Sequence, residues 1–208
     1  MSTKQIDKKL CLYLIGGFIL FTIIGTLSHE LGHYIIAKCY GFNAKIHYAS
    51  TSYGYHDLNL ITEKMIVSRI SGGPIETILT GTLGLILLFV NRKKYYEAEE
   101  LNIKQWCIVF TSLFWLRESF NLFIAFLIYL SKGHFPSRGD EFALAHYFEL
   151  PALSFALPLG IIGGSVLLLV LFKFIPGRQL LTFTISGLIG GLLGFYFWLY
   201  LVGPILMP

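Results

Sequence analysis

The chain is short of charge. Only 13% of its 208 residues are Asp, Glu, Lys or Arg, about half the roughly 25% usual in soluble domains. The formal net charge of +4 is small, and no Lys/Arg block accompanies it, which excludes a nucleic-acid partner and leaves the basic residues as membrane-flanking charge. Cysteine is scarce too. Cys11, Cys39 and Cys107 are far apart and odd in number; with no CxxC pair they support neither a disulfide framework nor a cysteine zinc site. The apolar runs also lack the two-residue alternation of a membrane barrel.

What fills the chain is apolar residue, 55% of the total, with a mean hydropathy of +0.67. Five segments stand out: Leu10–Ala37, Pro74–Val90, Gln105–Leu130, Pro151–Ile175 and Leu181–Val202. Each approaches or exceeds the roughly 20 residues that a spanning helix needs. The expected fold is all-α: one polytopic membrane domain of about five transmembrane helices, with no room for a second soluble domain. Lys4, Lys8 and Lys9 before the first run resemble a signal peptide, but no small-x-small cleavage site follows, so an uncleaved first span is expected. Gly72, Gly73 and Pro74 are expected to open the second helix, because proline suits a first turn. Pro151 and Pro158 are expected to kink or split the fourth. Glycines in the last two spans predict close helix packing. In the long loop 38–72, the Tyr/Ser/Thr-rich stretch Ala44 to Asn59 reads either as a short surface hairpin or as a plain interfacial loop.

The chemistry is concentrated in His29-Glu30-Leu31-Gly32-His33. Residues four apart on a helix share a face, so His29 and His33 can both aim imidazole nitrogens at one metal ion. Glu30, one residue on, is not needed as a ligand and is placed to act as general base toward a metal-activated water. His29 lies 19 steps after Leu10, or roughly 28 Å along a helix, which puts the site near the exit end of the first span. Ionisable residues at that depth are costly without a function.

A catalytic zinc takes three protein ligands and keeps one position open. The third ligand must return to the same depth, and the end of the third span does so. The loop 132–146 offers His134, Asp140, Glu141 and His146. Asp140 is the expected ligand; the competing reading makes Ser137 and Asp140 helix-starting residues. Glu118, mid-span beside Arg117, is the second candidate, with a structural charge as its plain alternative. Asn121 is placed either to hold an extended substrate or to bond between helices. His47 and His56, in the surface loop, are weaker candidates.

Together these residues resemble the site-2 protease family of intramembrane zinc metalloproteases, in a minimal and divergent form. The resemblance rests on HELGH at His29, Glu30 and His33, on SGGPIE at 71–76, on Asn121 in the third span and on Asp140 after it, and covers about residues 15–150. The spacing departs from the family's, since Asn121 and Asp140 are 19 apart and Gly139 precedes the aspartate. The resemblance implies one zinc ion per chain, held by His29, His33 and Asp140, with Glu30 catalytic and Asn121 binding substrate. It implies hydrolysis of transmembrane or membrane-adjacent peptides in a lipid bilayer, the expected location being a prokaryotic plasma membrane. A non-proteolytic, metal-binding scaffold is the alternative, although a scaffold has no need of Glu30. An ion transporter would want ligands spread over several spans, and the last two carry almost none.

Overall fold

The computed structural model describes residues 6–54 and 62–208. Helix α1 (Lys8–Cys39) leads to a hairpin of β1 (Asn43–Ile46) and β2 (Thr51–Gly54), followed by α2 (Glu63–Val90) and the short α3 (Arg92–Tyr96). Helix α4 (Ile103–Ser112) passes through a 3-10 turn at Leu113–Trp115 into α5 (Leu116–Lys132). Then come α6 (Asp140–Tyr147), α7 (Leu153–Lys173), α8 (Gly177–Tyr196), a π-helical stretch Phe197–Val202 and α9 (Gly203–Leu206).

Five helical segments are long and apolar enough to cross a membrane: α1, α2, α4 with α5, α7, and α8 through α9. The protein is therefore membrane-embedded and all-α apart from its hairpin. Leu79, Leu83 and Ile86 form one exposed apolar stripe along α2, and Ile161, Leu168, Leu188 and Leu192 are likewise more than half exposed. Water would penalise such a surface; lipid does not.

Local chemistry sets the helix limits. Asp7 caps α1 by accepting from the amides of Lys9 and Leu10. Asn102 and Gln105 form a reciprocal capping box that starts α4. The second helix corrects the sequence expectation. It begins at Glu63, capped by Thr62, and Pro74 lies inside it rather than at its first turn. An internal proline removes one ladder bond. A membrane helix tolerates this when neighbours satisfy the freed groups, and here α1 lies against that turn. The connection after α1 is correspondingly shorter than 38–72. The fourth span is not split: α7 runs through Pro158 from Leu153. Of the two readings of 44–59 the hairpin is the one present, as β1 and β2, antiparallel with Ala44 opposite Tyr53 and Ile46 opposite Thr51; residues 55–59 of that stretch lie outside the described residues.

Helix α1 is packed between α2 and α8. The expected glycine packing is present on both late spans. A Cβ on Gly190 would lie 2.8 Å from the Ile15 carbonyl oxygen, and one on Gly194 would lie 2.9 Å from Ile19 Cα. Ser119 of α5 donates to the Gly160 carbonyl of α7 at 2.7 Å. The three cysteines are free.

Candidate metal centre

The end of α1 carries His29, Glu30 and His33, which are 1%, 4% and 6% exposed. They are buried because α2 lies directly against this turn. A Cβ on Gly72 would come within 2.7 Å of the Gly32 carbonyl oxygen, and one on Gly32 would overlap Gly72 in return. Only glycine lets the two backbones approach this closely. One residue on, a Cβ at Gly73 would collide with Nε2 of both histidines. The Gly72-Gly73 pair therefore forms the floor of the site.

Asp140 is the first residue of α6, after Gly139, whose φ of 109° turns the chain into the helix. It does start the helix and stands in its acidic first turn, as the competing reading has it, but no side-chain hydrogen bond caps this helix. Its Oδ2 sits 2.9 Å from His29 Nε2 and 3.2 Å from His33 Nε2, and the two nitrogens are 3.2 Å apart. Among the described residues these three form a group able to hold a metal ion.

The outer nitrogens fix the chemistry of the inner ones. His33 Nδ1 is 2.7 Å from the Arg69 carbonyl, which can only accept, so Nδ1 carries the proton and Nε2 presents a lone pair. His29 Nδ1 is 3.0 Å from the Thr77 hydroxyl, which can accept its proton in the same manner. Holding the far nitrogen in this way is the usual means of orienting a ligating imidazole. A carboxyl such as that of Asp140 ordinarily titrates at about 4, well below neutral pH. It is therefore an anion, the form a ligand needs. Three electron-pair donors thus converge on one point. A tetrahedral zinc with bonds near 2.0–2.1 Å separates its ligand atoms by about 3.3 Å, close to the 2.9–3.2 Å found here. The residues present fit the ion.

Glu30 is not one of the three ligand-group residues. The Thr51 hydroxyl, from β2, lies 3.0 Å from both the Glu30 carbonyl oxygen and its carboxylate Oε2. The Asp140 side chain is 28% exposed, so one side of the site is open.

The other sequence candidates fall elsewhere. Glu118 is buried, but it is not in the ligand group. Its carboxylate oxygens and Arg117 Nε are buried without a hydrogen-bond partner among the described residues. Arg117 lies close enough for its charge to act on His29 and Glu30. The Asn121 amide donates to Glu141 Oε1 at 3.3 Å. His134 and His146 are exposed, His47 bonds Ser52 and the Pro208 carbonyl, and His56 lies outside the described residues. Sequence reasoning passed over Thr51, Thr77 and Arg69. Arg69 joins two parts of the site: its carbonyl receives His33, while its guanidinium lies over the Tyr53 ring, 4.4 Å from the centroid.

No family model, curated protein or solved structure matches this chain. The candidate centre rests on its own geometry.

Proposed function

We propose that the protein is an intramembrane zinc metalloprotease of the site-2 protease kind, cleaving peptides within or beside the bilayer. The observation that carries this reading is a three-donor group, His29, His33 and Asp140, with a buried, separately held carboxylate next to it. A ligand set alone serves a scaffold equally well. A glutamate adjacent to the first histidine, yet bonded to a different element, serves hydrolysis.

The roles follow from the donor set. A bound zinc supplies Lewis acidity and lowers the pKa of water to about 7. His29, His33 and Asp140 hold the ion and leave the side beside Asp140 open to water and peptide. Glu30 takes a proton from the attacking water and returns it to the leaving amine. A helical substrate hides its peptide bonds, so it must unwind to react. The β1–β2 hairpin lies over the site and offers an edge to an unwound strand. Asn121, the sequence candidate for holding that strand, donates instead to Glu141. Proline substitutions in the hairpin should lower cleavage and leave zinc content intact.

The decisive experiment compares Glu30→Gln with Asp140→Asn in the purified full chain. Zinc is measured by elemental analysis and cleavage with quenched fluorescent transmembrane peptides. Glu30→Gln keeps zinc and loses cleavage. Asp140→Asn loses both. Cleavage surviving in Glu30→Gln would overturn the protease reading, and full zinc in Asp140→Asn would remove that residue from the centre. A protein that binds zinc and cuts none of the peptides would favour the scaffold.

A further inference from the structure

The fifth span supplies no ligand, yet it is bonded to the hairpin that holds Glu30. Tyr48, in the hairpin turn, has both backbone groups taken by that span. Its amide donates to the Met207 carbonyl at 3.0 Å, and its carbonyl accepts from Trp198 Nε1 at 2.8 Å. The Tyr48 side chain rests on Gly203, where a Cβ would come within 2.8 Å of Tyr48 Cβ. His47 adds a bond to the Pro208 carbonyl and another, at 2.8 Å, to Ser52. The turn itself is closed by the His47 amide on the Ser50 carbonyl at 2.8 Å. The next residue after the turn is Thr51.

A two-stranded hairpin has little stability of its own. Its placement must come from what it touches. Trp198 is buried and belongs to the π-helical stretch Phe197–Val202. Such stretches are uncommon and tend to mark places where a helix has been re-aimed for a purpose. Here the widened turn presents the indole N–H to Tyr48. Directly after the turn, the single Thr51 hydroxyl proton is shared between two Glu30 oxygens at 3.0 Å each. Such a three-centred bond fixes the carboxylate relative to its own backbone. A general base works only within hydrogen-bond reach of the proton it takes, and a loosely held side chain forfeits that geometry.

We propose that Thr51 is a positioning residue for Glu30, and that Trp198 of the fifth span holds Thr51 in place through the hairpin turn. The inference rests on the protease reading for its kinetic arm only. It assigns a task to a span that packs against α1 without contributing to the ligand group.

The test uses the full chain with Thr51→Val, Thr51→Ser, Trp198→Phe and the Thr51→Val/Trp198→Phe double variant, zinc content being measured in each. With quenched transmembrane peptides, Thr51→Val lowers kcat by about 10- to 100-fold, at or below the low end of what a general base contributes, with KM and zinc unchanged. Thr51→Ser restores kcat to within about threefold, because it keeps the hydroxyl. Trp198→Phe keeps an aromatic ring but loses the N–H together with part of the indole's volume, lowering kcat by about three- to tenfold. The double variant is no slower than Thr51→Val alone, since both changes act through one contact. In the zinc-free protein, Trp198→Phe raises amide exchange across residues 43–54. Wild-type kcat in Thr51→Val beside an inactive Glu30→Gln would overturn the proposal, as would multiplicative effects in the double variant or unchanged exchange in Trp198→Phe. Full activity in Glu30→Gln would instead sink the protease reading, and the exchange experiment would still decide whether Trp198 places the hairpin.

Discussion

Where α1 begins, the bundle is filled with rings. Trp106 stacks on Phe183 with centroids 5.4 Å apart, Phe18 meets Phe110 edge-on at 4.9 Å, and Val170 and Phe174 close the cluster. Where α1 ends, the same helix faces Gly72 and Gly73 and buries His29, Glu30 and His33, with Thr77, Glu118 and Glu141 buried nearby. The ring end holds helices together through side-chain volume, which tolerates adjustment. The glycine end holds them through backbone contact, which does not. A metal centre needs atoms placed to a few tenths of an ångström, and close backbones provide that precision at the expense of packed apolar volume. Stability and site geometry are thus assigned to opposite ends of one bundle, and substitutions should separate them.

The largest effect is expected at Gly73. A methyl group there would occupy the space of both Nε2 atoms, so Gly73→Ala should abolish zinc binding in elemental analysis. Its melting temperature in detergent should match that of the zinc-free wild type, because alanine favours a helix over glycine. At the ring end the outcome reverses. Phe183 is 2% exposed, and Phe183→Ala should cost about 3 kcal/mol of stability through the cavity it leaves. The folded fraction should still bind one zinc per chain. If Phe183→Ala loses zinc while folded, the division between the ends is wrong. A smaller effect is expected at Thr77, which touches the site without reaching the ion. Thr77→Val should weaken zinc affinity by about 10- to 100-fold, the usual range for a residue that orients a ligand. Competition against a chelator of known affinity measures it.

How much of this was readable beforehand depended on how local the geometry is. His29 and His33 were legible because the i, i+4 relation is fixed within one helix. Depth narrowed the third ligand to the loop after the third span, which chain direction returns to the level of His29, and the resemblance to a known family favoured Asp140 among its four candidates. The five spans followed from apolar length. Thr77, Arg69 and Thr51 were not legible, because their partners depend on how α2 crosses α1 and where the hairpin lands. The Gly72-Gly73-Pro74 run misled in an instructive way. In water it reads as a helix opening; between membrane helices the glycines are a crossing point and the proline is tolerated inside α2. The real start, Thr62 accepting from the Met65 amide at 3.3 Å, is an ordinary cap with nothing in the composition to single it out.

The smallest effect is expected at Asn121, and it separates two roles for that residue. Its bond to Glu141 Oε1 is long, at 3.3 Å, and Glu141 is the neighbour of Asp140 on α6. If the amide serves mainly to brace α6, Asn121→Ala should lower stability by about 1 kcal/mol or less and leave KM for transmembrane peptides unchanged. If it grips substrate, KM should rise with no change in melting temperature. The amide is already engaged with a carboxylate of the fold, through a bond long enough to be weak. The brace is therefore the expected result. Asn121→Asp sharpens it further: a second carboxylate set against Glu141 repels where the amide donated, so the loss in melting temperature should exceed that of Asn121→Ala.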